Sequence, residues 1–381
     1  DLQGLEYTNI PQKIQKEKIN KLYGNNLNTS VSRLEQYRKC PFSYYLQYGL
    51  KLKEKEKLQI HTFDTGSFMH ETIDQFFENV RQEGLGLAEL EEEQIEKIVS
   101  DIIDNNLNLS KNYIFTATAK YKVLVRRLKR IVSKALKYII QTIIYSEFTP
   151  EGTEIEFGPK GKYPPIILDL GEGKKVEITG KIDRIDTAKT EDGNYLRIID
   201  YKSSSKNIDL NEVYAGLQIQ LLTYTDAICT KEDIMPAGVF YFSLLEQMIK
   251  ADKKISEEEI EELIRKNFRM KGLIVADVKI IKMNDTTLTS GTSKLVPASI
   301  TKSGTVNEKW TNGVNQEEFK ILQDYIYKTI KEISKEILSG KIDLKPYNKE
   351  GKTPCKYCQY KVICGFNPQN KNNQYNYIDK K

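Results

Sequence analysis

Near one end of the sequence, Cys355, Cys358 and Cys364 stand within ten residues in a Cys-x2-Cys-x5-Cys pattern. Three thiolates so close together point to a metal ion or a metal-sulfur cluster, and either needs a fourth ligand to close its shell. Cys40, followed by Pro41, is the candidate for that ligand. If the four thiols meet, the fold must bring the end of the chain back to its beginning. Zinc more often uses two local pairs, whereas here a triad faces one distant thiol. A disulfide framework does not suit five cysteines, an odd number, in a chain whose first thirty residues show no secretory signal. The fifth, Cys229, falls at a predicted helix end and reads as a buried thiol.

The 381 residues suffice for one large core or two domains. With 39% hydrophobic and 29% charged residues the chain has the make-up of a folded protein rather than a disordered one. No uncharged apolar run approaches the roughly 18 residues of a membrane-crossing helix, and the chain is read as cytosolic. It opens on Asp1 rather than Met and is read as a fragment. Residues 1–28, rich in Lys and Asn, read as a polar arm or linker. Met69, Ile73, Phe76, Phe77 and Val80 form one apolar stripe, which predicts a helix over about 64–80. A helical block occupies 81–148, its acidic first part facing its basic second part. After Pro150, Gly and Pro punctuate short alternating runs at 154–157, 166–170, 176–186 and 195–202, a strand-rich meander. A helix over about 210–229, a strand at 237–242, an insertion over 244–312 and an amphipathic helix at 316–338 follow. Residues 340–370 form a Cys-rich knot closing onto Cys40, and 371–381 a mobile tail. Residues 29–370 are thus expected to form a single α/β domain, a mixed sheet flanked by helices.

Charge says little in total, because 58 basic residues face 53 acidic ones for a net of +5. Its distribution says more. From Asn105 to Ser146 there is no acidic residue, and Arg126, Arg127 and Arg130 make this stretch either a solvated helix face or a place of DNA phosphate contact.

The run Tyr195 to Lys202 is an apolar strand ending in Asp200-Tyr201-Lys202. Period two puts Asp200 and Lys202 on one face, where a carboxylate and an amine can share one metal-bound water. Just upstream, Gly180-Lys181-Ile182-Asp183-Arg184-Ile185-Asp186 ends a neighbouring strand of the meander. If the two strands pair, Asp183 and Asp200 come close, and a divalent hard cation relieves their repulsion. The chemistry implied is metal-assisted phosphodiester hydrolysis. The bland alternative is an Asp-Lys ion pair at a sheet edge. Gln220 and Tyr224, i and i+4 on one helix, can hold a phosphate or orient Lys202. His70, at the edge of the first apolar stripe, can complete a metal shell. Gly351-Lys352-Thr353 looks like the end of a phosphate loop, but Pro346 stands where the loop needs its first Gly, so no ATP-driven motor site is expected.

Gly66-x-x-x-His70-Glu71, Gly180 to Asp186, Asp200-Tyr201-Lys202 and Gln220-x-x-x-Tyr224 resemble, in this order, the motifs of the RecB-like branch of the PD-(D/E)XK nucleases. The resemblance spans roughly residues 29–370. With the cysteine pattern it narrows to the AddB-type nucleases, whose iron-sulfur staple joins the two ends of the domain. It implies a restriction-endonuclease-like core and Mg²⁺ (or Mn²⁺) held by His70, Asp183, Asp200 and the Tyr201 carbonyl. It further implies that Lys202 assists the attacking water, that Gln220 and Tyr224 support the site, and that Glu156 matches a weaker acidic position. Cys40, Cys355, Cys358 and Cys364 would hold a [4Fe-4S] cluster. Also implied are DNA as substrate, the remainder of a longer chain, and an AddA-type helicase-nuclease partner. Such a domain acts as an exonuclease on the 5′-terminated strand while double-strand ends are processed for recombinational repair. The rival readings are a non-catalytic DNA-binding module that keeps the nuclease fold, and a zinc-stapled structural protein.

Overall fold

The computed structural model describes residues 9–53, 62–109, 115, 118–245 and 256–378, with 62–64 as backbone only. The chain opens with α1 (Lys16–Tyr23), β1 (Leu27–Thr29), α2 (Val31–Lys39) and the short α3 (Pro41–Tyr44), which runs on as a π-helical turn over Tyr45–Gly49. Three longer helices follow, α4 (Thr62–Gln82), α5 (Glu92–Leu107) and α6 (Ala119–Ile144). The strands come next: β2 (Thr149–Phe157), β3 (Ile166–Gly171), β4 (Lys174–Ile178), β5 (Gly180–Thr190) and β6 (Gly193–Lys202). After them come α7 (Leu210–Tyr214), α8 (Gln220–Glu232), β7 (Met235–Ser243), α9 (Glu257–Phe268), β8 (Lys271–Val275) and α10 (Val278–Asn284). The chain closes with β9 (Gly291–Thr292), β10 (Ser299–Ile300), β11 (Gly313–Val314), α11 (Gln316–Leu338), β12 (Tyr347–Asn348), α12 (Lys361–Cys364) and β13 (Asn376–Tyr377).

A six-stranded sheet in the order β11-β8-β7-β6-β5-β2 is the centre of the fold. It is mixed, because β6 runs parallel to β7 while β5 pairs antiparallel with both β6 and β2. The parallel step needs a crossover, which α7 and α8 supply. Ile182, Ile185 and Ile198 face one apolar cluster, shared with α2, α8 and the stripe Phe319, Leu322, Ile326, Ile330, Ile333 and Ile337 of α11. Ile199 and Tyr201 face the other, built with α4, α5 and α6. Both faces of the sheet are therefore helix-covered, which accounts for the near-continuous apolar reading of β6 and β7. Asn315 and Glu318 cap α11 reciprocally and fix its start. The acidic and basic helices pair along their flanks, Lys129 with Asp104 at 2.7 Å and Lys137 with Glu92 at 2.6 Å. Among the described residues no helix is long and apolar enough to cross a membrane.

Several expectations change. The stretch read as a polar arm carries α1, with Ile19 buried, and β1, which adds in parallel to β4. The run 176–186 is two strands, and β4 leaves the central sheet to join β1 and β3 in a small one. The segment 244–312 is no mere insertion, because β8 is an interior strand of the main sheet, between β7 and β11. The helix expected over 210–229 is broken between α7 and α8, where Gly216 turns the chain at a φ of 78°. In the tail expected to be mobile, β13 pairs with β12, and Asn373 is buried against Asn9.

Behind the end of β5 lies a buried charge network. Asp186 stands opposite Arg197 in the β5–β6 ladder and accepts from Arg197 Nε and Arg184 Nη2, both at 2.8 Å. Arg197 also donates to the Thr142 carbonyl at the end of α6 and to Asn284 at the end of α10, while Arg184 reaches Tyr201 Oη. All three charged side chains are within 1% of full burial. Removing the carboxylate leaves two guanidinium groups without their counter-charge. Asp186→Ala is expected to cost about 3–5 kcal/mol in denaturant unfolding; a loss below about 1 kcal/mol, the range of an exposed pair, would mean the network does not hold the sheet.

Candidate active site

The β5–β6 ladder ends at Arg184 opposite Ile199. One residue beyond, the strands part, and the Asp183 carboxylate takes the place of a ladder acceptor: Tyr201 N–H donates to Asp183 Oδ2 at 2.7 Å. The same oxygen lies 3.4 Å from His70 Nδ1, which α4 carries at the edge of its buried stripe. From β2, Glu154 completes a trio with His70 and Asp183 whose ligand atoms all lie within 4.8 Å of one another. Glu154 has a φ of 52°, so β2 kinks there, and its outer oxygen pairs with Lys181. On β6, Asp200 and Lys202 do share a face, with Lys202 Nζ against Asp200 Oδ2. That buried oxygen makes no hydrogen bond of good geometry.

Electrostatics follow from this crowding. Burial, and next the charge of Asp183, push the Asp200 carboxyl up to about 6 in spite of Lys202. Burial also raises Glu154. Burial works against a charged His70, but the hydrogen bond and charge of Asp183, with help from Asp200 and Glu154, outweigh it and raise its pKa. Lys202 is likewise opposed by burial and held above its ordinary value by Asp200. Asp200 and Glu154, both pushed toward protonation by burial and by the charge of Asp183, together with an imidazole, make a donor set that a hard divalent cation fits.

The remaining candidates fall around this centre. Gln220 is the first residue of α8, and its N–H, with that of Ile219, donates to Glu35 Oε1 at 3.1 and 2.9 Å. Tyr224 is buried, its ring stacked 5.0 Å from Phe157. Its hydroxyl fills the space above Gly180, where a Cβ would lie 1.7 Å from Oη. Glu156 is exposed, and Glu154 takes the inward place expected of it. Arg126, Arg127 and Arg130 are exposed on α6, and no contact among the described residues links them to the acidic centre. Sequence reasoning missed Glu154 and Glu35. The second had a signal, because position 35 falls on the buried stripe of Val31, Leu34 and Tyr37.

Cys40, Cys355, Cys358 and Cys364 line one cavity of about 810 Å³. Burial, with the neighbouring Cys355 and Cys358, pushes the Cys40 thiol up to about 12. Among the described residues the cysteines do not form a tight ligand group like the acidic trio. The ends of the chain nevertheless meet: Tyr37 Oη donates to the Lys341 carbonyl at 3.0 Å, Phe42 N–H to Asp343 and Tyr360 Oη to Leu52. Cys229 on α8 is half-buried, and burial pushes its thiol up to about 12.

Gly180→Ala is expected to destabilise the protein by about 1–3 kcal/mol through overpacking, and Tyr224→Phe in the same chain to return part of that loss. Equal stability of Gly180→Ala and the parent would mean that Tyr224 does not occupy the space over Gly180.

A sequence model of the PD-(D/E)XK nuclease superfamily matches residues 28–365. The chain is 40% identical over 385 residues to the B subunit of the ATP-dependent helicase/deoxyribonuclease of Acetivibrio thermocellus, covering 99% of this chain and 33% of that protein. It is also 40% identical to the proteins of the same name from Clostridium novyi, over 99% of this chain and 34% of the relative, and from Caldanaerobacter subterraneus subsp. tengcongensis, over 100% and 33%. The chain thus spans about a third of the length of the curated relatives it matches. The order of sheet and helices, the acidic centre beside Lys202 and these matches agree, and the chain belongs to the PD-(D/E)XK nuclease superfamily.

Proposed function

We propose that this chain is the DNA-cleaving domain of a helicase-nuclease of the AddB type, and that Mg²⁺ (or Mn²⁺) is its catalytic metal. The observation that carries this reading is the convergence of His70, Glu154 and Asp183 within 4.8 Å, with Asp200 and Lys202 beside them. His70, Glu154, Asp183 and Asp200 would hold the cation, which when bound polarises the phosphate and lowers the pKa of its water. In a strand the N–H and C=O of one residue leave on the same edge, so the Tyr201 carbonyl leaves toward Asp183 and offers a further oxygen ligand. Lys202 Nζ, held by Asp200, orients the attacking water and steadies charge on the phosphate. Glu35 anchors the start of α8 and with it Gln220, and Tyr224 fixes the spacing of α8 from β5.

DNA as substrate, an AddA-type partner, the remainder of the full-length chain and a cytoplasmic role in processing double-strand ends come from the names of the relatives and the motif resemblance. Exonucleolytic cleavage of the 5′-terminated strand belongs to the same reading. A cavity lined by all four cysteines, with the ends of the chain joined around it, supports a [4Fe-4S] cluster there.

Full-length protein purified without oxygen is expected to degrade end-labelled linear DNA in Mg²⁺ and not in EDTA, with label released from one strand. Asp200→Asn should abolish this cleavage while the fold is retained; undiminished activity in that variant would remove Asp200 from the site. Protonation of Asp200, whose pKa lies near 6, and of His70 takes away metal ligands as the pH falls. Mn²⁺ affinity should therefore be several-fold weaker at pH 5.5 than at pH 8, and a flat profile would argue against these ligands. The cluster reading expects a brown, oxygen-sensitive chromophore near about 400 nm that is lost in Cys40→Ser, along with resistance of both chain ends to proteolysis. Colourless anaerobic protein containing zinc would replace the cluster with a zinc site.

A further inference from the structure

Lys206 lies in the loop between β6 and α7, four residues beyond Lys202. Its ammonium sits over the ring of Tyr241, 4.6 Å from the centroid, and Lys202 Nζ lies 5.7 Å from the same ring. Two lysines therefore share one aromatic shelf on the side of the sheet that carries Asp200. Tyr241 belongs to β7 and stands opposite Asp200 in the β6–β7 ladder, so the shelf is built into the sheet and does not depend on the loop.

The charged groups acting on Lys206 are Glu35 and Lys39 from α2 and Lys202 and Asp200 from β6. The two carboxylates among them raise its pKa through space, but neither pairs with it directly. Glu35 Oε1 is engaged by the N–H groups of Ile219 and Gln220, and Asp200 Oδ2 by Lys202. Lys206 forms no ion pair or hydrogen bond with another described residue. Burial holds its pKa below the ordinary lysine value, as expected for an ammonium short of counter-charge. Taking an ammonium out of water is costly without a partner, and a ring face compensates only in part. Half-buried and joined to no described residue by an ion pair or hydrogen bond, Lys206 keeps its charge available beside the acidic centre.

We infer that Lys206 is a phosphate-contacting residue of the nuclease, seating a non-bridging oxygen of the substrate strand on the Tyr241 shelf next to Lys202. The inference rests on the nuclease reading above and adds to it a second lysine with a distinct task. Lys202 is tied to Asp200 and serves the water, whereas Lys206 binds the anion that the water attacks or the phosphate next to it. Arginine, which is also cationic, binds phosphate and can lie on an aromatic ring, should retain the contact, and a neutral side chain should not.

The test compares Lys206→Gln, Lys206→Met and Lys206→Arg in the full-length protein, with Asp200→Asn alongside. Met keeps an apolar stem against Tyr241 and covers the case in which Gln fails to fold. Binding of linear DNA is measured in EDTA across a salt series, and single-turnover cleavage in Mg²⁺. In the Gln and Met variants the slope of log affinity against log salt is expected to become shallower by about 0.7–0.9, the loss of one phosphate contact. Cleavage should slow by about 10²-fold, with Mn²⁺ affinity unchanged, and Arg should restore slope and most of the rate. A parental slope in the Gln and Met variants, or a slowed rate that Arg does not rescue, would overturn the inference. Parent protein that binds but never cleaves would instead count against the nuclease reading, while the slope would still report on Lys206.

Discussion

Everything at the acidic centre depends on how β5 lies against β6, and a buried carboxylate between two guanidinium groups holds that register. Asp186 faces Arg197 across the ladder and draws in Arg184 from its own strand. A slip of one residue would carry Asp183 to the other face of the sheet and break the cross-strand bond between Asp186 and Arg197. The network has two positive groups for one negative, and burial together with the nearby Arg184 lowers the pKa of Arg197 to about 10. Donation to the Thr142 carbonyl and to Asn284 spreads the excess charge over backbone and amide acceptors. The cost of burying these charges is thus met by hydrogen bonds that also tie α6 and α10 to the sheet.

From that fixed register the site follows by divergence. Where the ladder stops, Asp183 substitutes a side-chain oxygen for a strand carbonyl, and His70 from α4 and Glu154 from β2 gather beside it. Burial and the charge of Asp183 raise the pKa of Asp200, so the acidic centre by itself takes up a proton more readily than a free carboxylate does, and a divalent cation would relieve that repulsion. Its side chains are in this sense poorly matched to one another alone, as those of sites that bind metals commonly are.

The motif-bearing strands were legible because their signals are local. Alternation places Asp200 beside Lys202, the meander makes β5 and β6 neighbours, and the apolar stripe of α4 carries His70 to the sheet. What escaped the sequence depends on longer-range geometry. Glu154 and Glu156 have the same parity, and only the kink at Glu154 separates the inward acid from the exposed one. Residues 244–312 looked like an insertion because β8 is only five residues long and joins the sheet from outside the run of motifs. The polar composition of the first 28 residues hid α1 and β1, since each buries only a few apolar side chains. Lys206 carries no motif at all. Its meaning appears only from its place over the Tyr241 ring beside Lys202.

The joining of the two ends has a consequence in time. Tyr37 donates to the carbonyl of Lys341, 304 residues later. A ribosome adding about 5–20 residues per second needs on the order of 15–60 s to make that stretch. For nearly all of this interval α2 lacks its partner α11, and the strands bearing Asp183 and Asp200 are made about halfway through it. Glu35, which α2 brings to the start of α8, therefore reaches its final setting late. The acidic strands can pair early, but the helix wall around them is completed only once α11 has been synthesised, so a nascent chain carries the cleavage motifs well before it carries the finished site.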